Sequence, residues 1–355
     1  MRQLLLMATL CRPGIIERMK LRVGLVGLGH AWESRHLPAL RALRDRFEIR
    51  AVCSEIMFRA ERAAKEFEAE AVDGYRALAA REDIDALLML SPEWYGALPI
   101  LAACETGKAV YCAAALEMET GQAVNVRDRV NDAGIAFMAE FPRRYAAATL
   151  RLKELIATRL GPPNLLFCHL RKGFRAPRDA AEPDVTSARL HRDLLELVDW
   201  CRYVVGQNPS SVVGLHNRGG SSDGVNYRMM NLDFSEEGQF GVGPVAQISV
   251  GRYLPADWQE AIGFRNPAGL QVNCANGIAF IDLPSNLVWF DEAGRHIESL
   301  ESERPVGEQM LNSFHRAVTS LIRKTSDLED AYRALMVVQK SEESHRTGQR
   351  IVLPQ

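Results

Sequence analysis

An excess of charge of either sign is missing from this chain. Its 43 lysines and arginines meet 45 aspartates and glutamates, for a formal net charge of −2, so neither nucleic acid nor an anionic membrane is implied as a partner. Long hydrophobic runs are also missing, and nothing approaches the roughly 18 apolar residues of a bilayer span. The 7 cysteines stand at Cys11, Cys53, Cys104, Cys112, Cys168, Cys201 and Cys274 without a CxxC pair. That excludes the common zinc and disulfide frameworks and suggests reduced core thiols in a cytoplasmic protein. No two histidines have HxxxH spacing, so no metal is expected. Internal repeats and low-complexity segments are absent as well.

What is present is ample core. With 355 residues, 47% of them hydrophobic and 25% charged, the chain is long enough for two domains, each burying its own interior. Residues 1–18 read as an N-terminal extension with a short apolar stretch but a poor cleavage signal. Met19 is the expected start, because it leads directly into a first strand.

Residues 21–26, 47–53, 84–90, 109–112 and 135–138 are short apolar runs. Helical patterns at about 37–43, 59–67, 98–106 and 121–133 alternate with them, and Gly107 stands where a glycine cap belongs. Such alternation predicts an α/β Rossmann domain, a doubly wound parallel sheet, over about residues 19–144. The character then changes. A helix at 145–159, a strand at 162–170, a helix at 193–205, turn-punctuated strands between 210 and 300, and helices at 307–324 and 328–347 predict an α+β domain. That domain spans about residues 145–355 on an open, mainly antiparallel sheet, and its closing helices are expected to pack back near the first domain.

The first strand runs into Gly27-Leu28-Gly29-His30-Ala31-Trp32. Gly27 permits the tight turn off the strand, and Gly29 lets backbone approach a pyrophosphate at the helix N-terminus. Cofactor contacts are therefore expected from Gly27, Leu28, Gly29, His30 and Ala31. The third small residue of the fingerprint is replaced by Trp32, so the loop is expected to depart from the standard one. At the end of the second strand, Ser54 replaces the usual ribose-binding carboxylate, with Glu55 and then Arg59 and Arg62 beyond it. This favours NADP over NAD, with Arg59 near the 2′-phosphate; the alternative is a pair of solvated helix-face arginines.

The chain from about 21 to 353 resembles the Gfo/Idh/MocA oxidoreductases, the glucose-fructose oxidoreductase and inositol dehydrogenase group. The resemblance rests on Val23 to Gly29 with His36-Leu37-Pro38-Ala39-Leu40, then Asp83-Ile84-Asp85-Ala86, Ser91-Pro92 and Gly107 to Cys112. It continues through Arg143-Arg144-Tyr145, the stretch from Asp199 to Gly206, and Ser344 to Val352. It implies a nicotinamide cofactor, a sugar, polyol or related hydroxyl or keto substrate, and a homo-oligomer built through the second-domain sheet. It adds Ser91, Pro92, Ala113 and Arg144 to the cofactor-binding candidates.

The departures fall at the reactive centre. Where the family carries Glu-Lys-Pro, this chain has Ala113-Ala114-Ala115, so the lysine's role is empty. The histidine three residues before Asp199 is Glu196, the earlier acidic position is Arg192 unless Asp193 substitutes, and the histidine after Ser-Pro is Gly96. His36 comes one residue late, consistent with an insertion around Trp32. The candidates for acid–base work are Glu196, Asp199 and Tyr95, with Glu117 a further proton source. Arg143, Arg144, Arg171, Lys172 and Arg175 form a possible anion-binding wall, and Tyr95, Tyr253 and Trp258 a possible pocket lining. Three readings stay open: an NAD(P)-dependent oxidoreductase with non-standard acid–base residues, a catalytically silent relative that binds a ligand or a partner protein, or an enzyme that uses its cofactor without net redox.

Overall fold

The computed structural model describes residues 20–113, 118–174, 185–218, 226–236, 238–300, 304–320 and 326–354. The expected start at Met19 lies outside the described residues, as do Ala114, Ala115, Glu117 and Arg175.

Six parallel strands form the first sheet: β1 (Leu21–Val26), β2 (Phe47–Cys53), β3 (Glu70–Ala71), β4 (Ala86–Met89), β5 (Ala109–Cys112) and β6 (Phe137–Ala139), in the order β3-β2-β1-β4-β5-β6. Its central strands are buried on both faces, which is why they read as continuous apolar runs without alternation. The order reverses between β1 and β4, so the crevice at their C-terminal ends is where such sheets bind ligands.

Nine strands form the second sheet: β7 (Pro163–Phe174), β8 (Ser211–Arg218), β9 (Asn226–Asp233), β10 (Val245–Pro255), β11 (Leu270–Cys274), β12 (Gly277–Asp282), β13 (Asn286–Asp291), β14 (Gly294–Ser299) and β15 (Ile351–Val352). The order is β14-β13-β12-β11-β7-β10-β9-β8-β15, antiparallel except where β7 meets β10. One face packs on the 21-residue helix Val185–Val205. Alternation along β7 buries Leu166 and Cys168 on that face and turns Leu165 to the other. The short β3 and β15 have too few residues to show a period, and sequence reasoning passed over them.

The helix Val306–Thr319 returns to the first domain, where Phe314 meets Tyr111 edge-on at 5.5 Å and His315 meets Phe47 at 5.6 Å. The helix Ser326–Thr347 follows, and its Tyr332 ring lies 4.4 Å from the Arg127 guanidinium. All six described cysteines are buried and unbonded to one another. Among the described residues no helix is long and apolar enough to cross a membrane.

Candidate functional site

The loop after β1 is built by its two glycines. Gly27 has φ of +77°, its N–H donates to the Cys53 carbonyl at 2.7 Å, and an added Cβ would run into Ser91. At Gly29 a Cβ would strike the Leu90 carbonyl oxygen. Side chains are excluded at both positions, so the loop backbone lies flush against the end of β4, and His30 stands exposed at its tip.

Trp32 does not obstruct this loop. Its indole is buried beside Leu28 and Leu37 and meets Phe67 edge-on at 6.4 Å, on the far side of the loop. The accommodation is a π-helical turn over Trp32–His36, in which the His36 N–H reaches the Ala31 carbonyl at 3.2 Å. A wider turn absorbs one extra residue without breaking the helix, which explains why His36 comes one position late. The expectation that Trp32 distorts the dinucleotide loop is therefore corrected: the strain is moved into the helix. With both glycines in place and the indole turned away, the residues present fit the pyrophosphate of a dinucleotide.

At the end of β2 the half-buried Ser54 hydroxyl donates to the Glu55 carboxylate at 3.0 Å. Arg59 pairs with the same carboxylate at 3.1 Å and also donates to the Leu28 carbonyl. Arg62 lies 3.6 Å from the exposed Glu33. Arg59 is thus not waiting free for a phosphate; a carboxylate already holds it.

The opposite wall of the crevice is the helix Val185–Val205. Arg192, Glu196 and Asp199 recur at intervals of four and three, so they share one stripe, and that stripe faces the C-terminal edge of the first sheet. Arg192 reaches His30 at 3.1 Å and Glu93 at 3.4 Å. Glu196 lies 3.3 Å from Nε of Arg143, which also stacks over the buried Trp200 ring at 5.2 Å. Asp199 is buried and takes a two-pronged grip from Arg144, one arm at 2.6 Å, while Arg144 also donates to Asp330 at 2.9 Å. One turn from Glu196, Asp193 holds Lys172 of β7, with both carboxylate oxygens 2.7 Å from Nζ.

Burial sets the protonation of these acids. It raises the Glu196 carboxyl above the ordinary glutamate value, Arg143 only partly opposing it. It pushes Asp199 up to about 6 against the pull of Arg144 and Arg202. Asp199 is therefore spent on an interdomain ion pair that keeps it from a substrate, whereas Glu196, a quarter exposed, opens to the cleft.

Tyr95 does not join this group. Its hydroxyl lies 3.7 Å from Cys53 Sγ at the end of β2, and its ring packs on Tyr75. Arg143, by contrast, follows β6, four strands along the sheet and so roughly 19 Å away at 4.8 Å per strand. Burial holds the phenol well above its ordinary pKa, which suits packing and not proton transfer. Arg171 is likewise elsewhere: consecutive residues of a strand face opposite ways, so while Lys172 points to the helix, Arg171 turns to the open sheet face and donates to Tyr253 at 3.1 Å. Trp258 is exposed beyond it. Ser91 and Pro92 are buried at the crevice floor, and Ala113 donates its N–H to the Met89 carbonyl at 2.9 Å.

Sequence reasoning missed a buried cluster beside Glu196. Glu140, the residue after β6, takes a hydrogen bond from Arg35 and approaches His36 Nε2 at 3.2 Å. Burial opposes its charge, but His36 and Arg35 more than reverse this and hold the carboxyl below its usual value. His36 Nδ1 and the Tyr111 hydroxyl are buried without a hydrogen-bond partner among the described residues. The available signal was a carboxylate directly after a buried parallel strand, at the edge where such sheets place their chemistry.

Comparison with known proteins agrees with this fold. Residues 21–141 match the Gfo/Idh/MocA profile, described as an oxidoreductase family with an NAD-binding Rossmann fold. Over 121 residues the chain is 33% identical to dTDP-3,4-didehydro-2,6-dideoxy-alpha-D-glucose 3-reductase of Actinomadura kijaniata, covering 34% of this chain and 36% of that protein. Over 210 residues it is 28% identical to inositol 2-dehydrogenase 4 of Saccharopolyspora erythraea, covering 57% and 59%. The chain thus matches less than two thirds of either relative's length. The fold extends further: aldose-aldose oxidoreductase from Caulobacter crescentus, complexed with glycerol, superposes with a TM-score of 0.79 over 94% of this chain and 100% of that one, at 15% identity. Residues 21–141 are thus similar to the NAD-binding Rossmann fold of the Gfo/Idh/MocA oxidoreductase family, and the chain as a whole shares the fold of solved oxidoreductases.

Proposed function

We propose that this protein binds a nicotinamide dinucleotide along the β1 loop and interconverts a hydroxyl and a keto group on a sugar- or polyol-like compound, with Glu196 as the acid–base group. The observation that carries this reading is a carboxyl raised by burial on the cleft wall, where a proton shuttle needs a group that titrates closer to neutrality. A bound nicotinamide supplies the hydride acceptor or donor. Glu196 takes the hydroxyl proton during oxidation and returns it during reduction, while Arg143 fixes its orientation. Asp199 and Arg144 hold the helix against the first domain. The test is dinucleotide binding by purified protein, followed by nicotinamide absorbance change across a panel of sugars and polyols; failure to bind either dinucleotide at millimolar concentration ends the proposal.

A second reading has an observation of its own. The acids and bases on the cleft wall are committed to one another, Glu196 to Arg143 and Asp193 to Lys172, and methyl groups stand in the sequence where a catalytic lysine is usual. That is what a catalytically silent relative acting as a ligand-binding or protein-interaction module would show. Binding of the dinucleotide without turnover on any substrate of the panel favours it.

The adenosine end favours neither cofactor form strongly. Ser54 and Arg59 suit NADP, but Glu55 neutralises the arginine. Replacing Glu55 by alanine frees Arg59 and removes a negative charge, and is expected to shift the ratio of the two dissociation constants toward NADP by about tenfold. Titrating both dinucleotides against wild type and variant checks this.

The open face of the second sheet carries Leu165, Val213, Leu215 and Ile297 exposed on three different strands, Leu215 at 54% and Ile297 at 65%. Apolar patches of this kind mark association surfaces, so we assign it to a homo-oligomer in the cytoplasm. Leu165→Glu with Leu215→Glu is expected to yield monomers by light scattering at concentrations where wild type is oligomeric; a monomeric wild type refutes the assignment.

A further inference from the structure

Two walls bound the crevice at the switch point, the loop after β1 carrying His30 and the turn after β4 carrying Glu93. Arg192, from the second domain, touches both at once: Nη1 stands 3.1 Å from His30 Nδ1 and Nη2 3.4 Å from Glu93. One guanidinium therefore spans the place where Gly29 brings backbone closest to a dinucleotide's phosphates. His30 meets it as an acceptor, partial desolvation and then the arginine itself lowering the pKa of its imidazole.

The cations of this cleft differ in how firmly they are held. Arg144 pairs with a carboxylate that is 1% exposed, Arg35 with the buried Glu140, and Lys172 with the buried Asp193. The Glu93 side chain that faces Arg192 is 42% exposed. An ion pair open to water at that distance contributes little, whereas a guanidinium on a phosphate forms parallel charge-assisted hydrogen bonds. Of these pairs, that of Arg192 with Glu93 is the one most easily exchanged.

We propose that Arg192 is a pyrophosphate clamp, through which the second domain completes a cofactor site otherwise built by the first. On cofactor binding the guanidinium exchanges Glu93 and His30 for phosphate oxygens, so dinucleotide affinity depends on the position of the second domain. This inference rests on the proposal that the chain binds a dinucleotide, and the experiment separates the two.

Dissociation constants are measured calorimetrically on the full chain for NAD, for ADP-ribose and for adenosine. Arg192→Ala is expected to weaken NAD and ADP-ribose by tenfold or more and leave adenosine unchanged, with Arg192→Lys intermediate. Glu93→Gln, which keeps the arginine and removes the charge of this one partner, is expected to tighten ADP-ribose severalfold. Unchanged or tighter ADP-ribose binding in Arg192→Ala overturns the clamp, as does an equal loss for adenosine. A loss confined to an anionic substrate, with ADP-ribose unaffected, moves the arginine to the substrate and also overturns it. If wild type binds no dinucleotide, it is the underlying functional proposal that fails.

Discussion

Glu196→Gln is expected to lower kcat/KM for the hydroxyl or keto substrate by about 10²- to 10⁴-fold, the usual loss when a general acid–base group is removed. Glutamine keeps the shape and the approach to Arg143 but cannot exchange a proton. Affinity for the dinucleotide is expected to stay within about twofold of wild type, because a change of this size is only a few tenths of a kcal/mol. The pH profile carries the sharper signature. Burial raises the Glu196 carboxyl, so its base form appears at higher pH than for an ordinary glutamate. Oxidation, which needs the carboxylate, should rise as pH climbs through that raised value, and reduction, which needs the acid, should fall through it. Both limbs should vanish in the variant. A variant with wild-type turnover and an unchanged profile would show that another group moves the proton.

Arg144→Met should give the largest stability loss of any single change at the domain junction, about 3–5 kcal/mol by denaturant unfolding. The substitution removes both arms from the buried Asp199 and the contact with Asp330. Methionine fills much of the volume, so the loss reflects stranded charge more than a cavity. The effect should shrink as pH falls below about 6, the value to which burial already pushes Asp199, since a protonated carboxyl no longer needs its counterion. Arg202, 3.7 Å from Asp199, limits the damage without replacing the two-pronged grip. Equal losses at pH 5 and pH 8 would mean that packing of the guanidinium over the Phe141 and Tyr203 rings, not charge, holds the junction.

How far the site was legible varied residue by residue. Gly27 and Gly29 were readable because their requirement is local: a turn and a close approach leave the same mark in any sequence that folds this way. Trp32 was misread because a single-residue insertion can be absorbed in the loop or in the helix, and only the packing of the indole against Phe67 decides for the helix. Glu140 was overlooked because its partners, Arg35 and His36, lie more than a hundred positions earlier. Tyr95 was placed in the site on its chemistry, but its direction depends on Cys53 and Tyr75, which no periodicity reveals.

By itself the sequence determined the alternation of strands and helices in the first half, the turn of architecture near the middle, and the glycine loop, because burial and backbone sterics act over a few neighbouring residues. Only the tertiary structure decided which charges meet: Arg144 with Asp199, Arg143 with Glu196, Arg192 across to His30 and Glu93. Ion pairing depends on distance through space, and the two folded domains bring together side chains that the chain keeps dozens of positions apart.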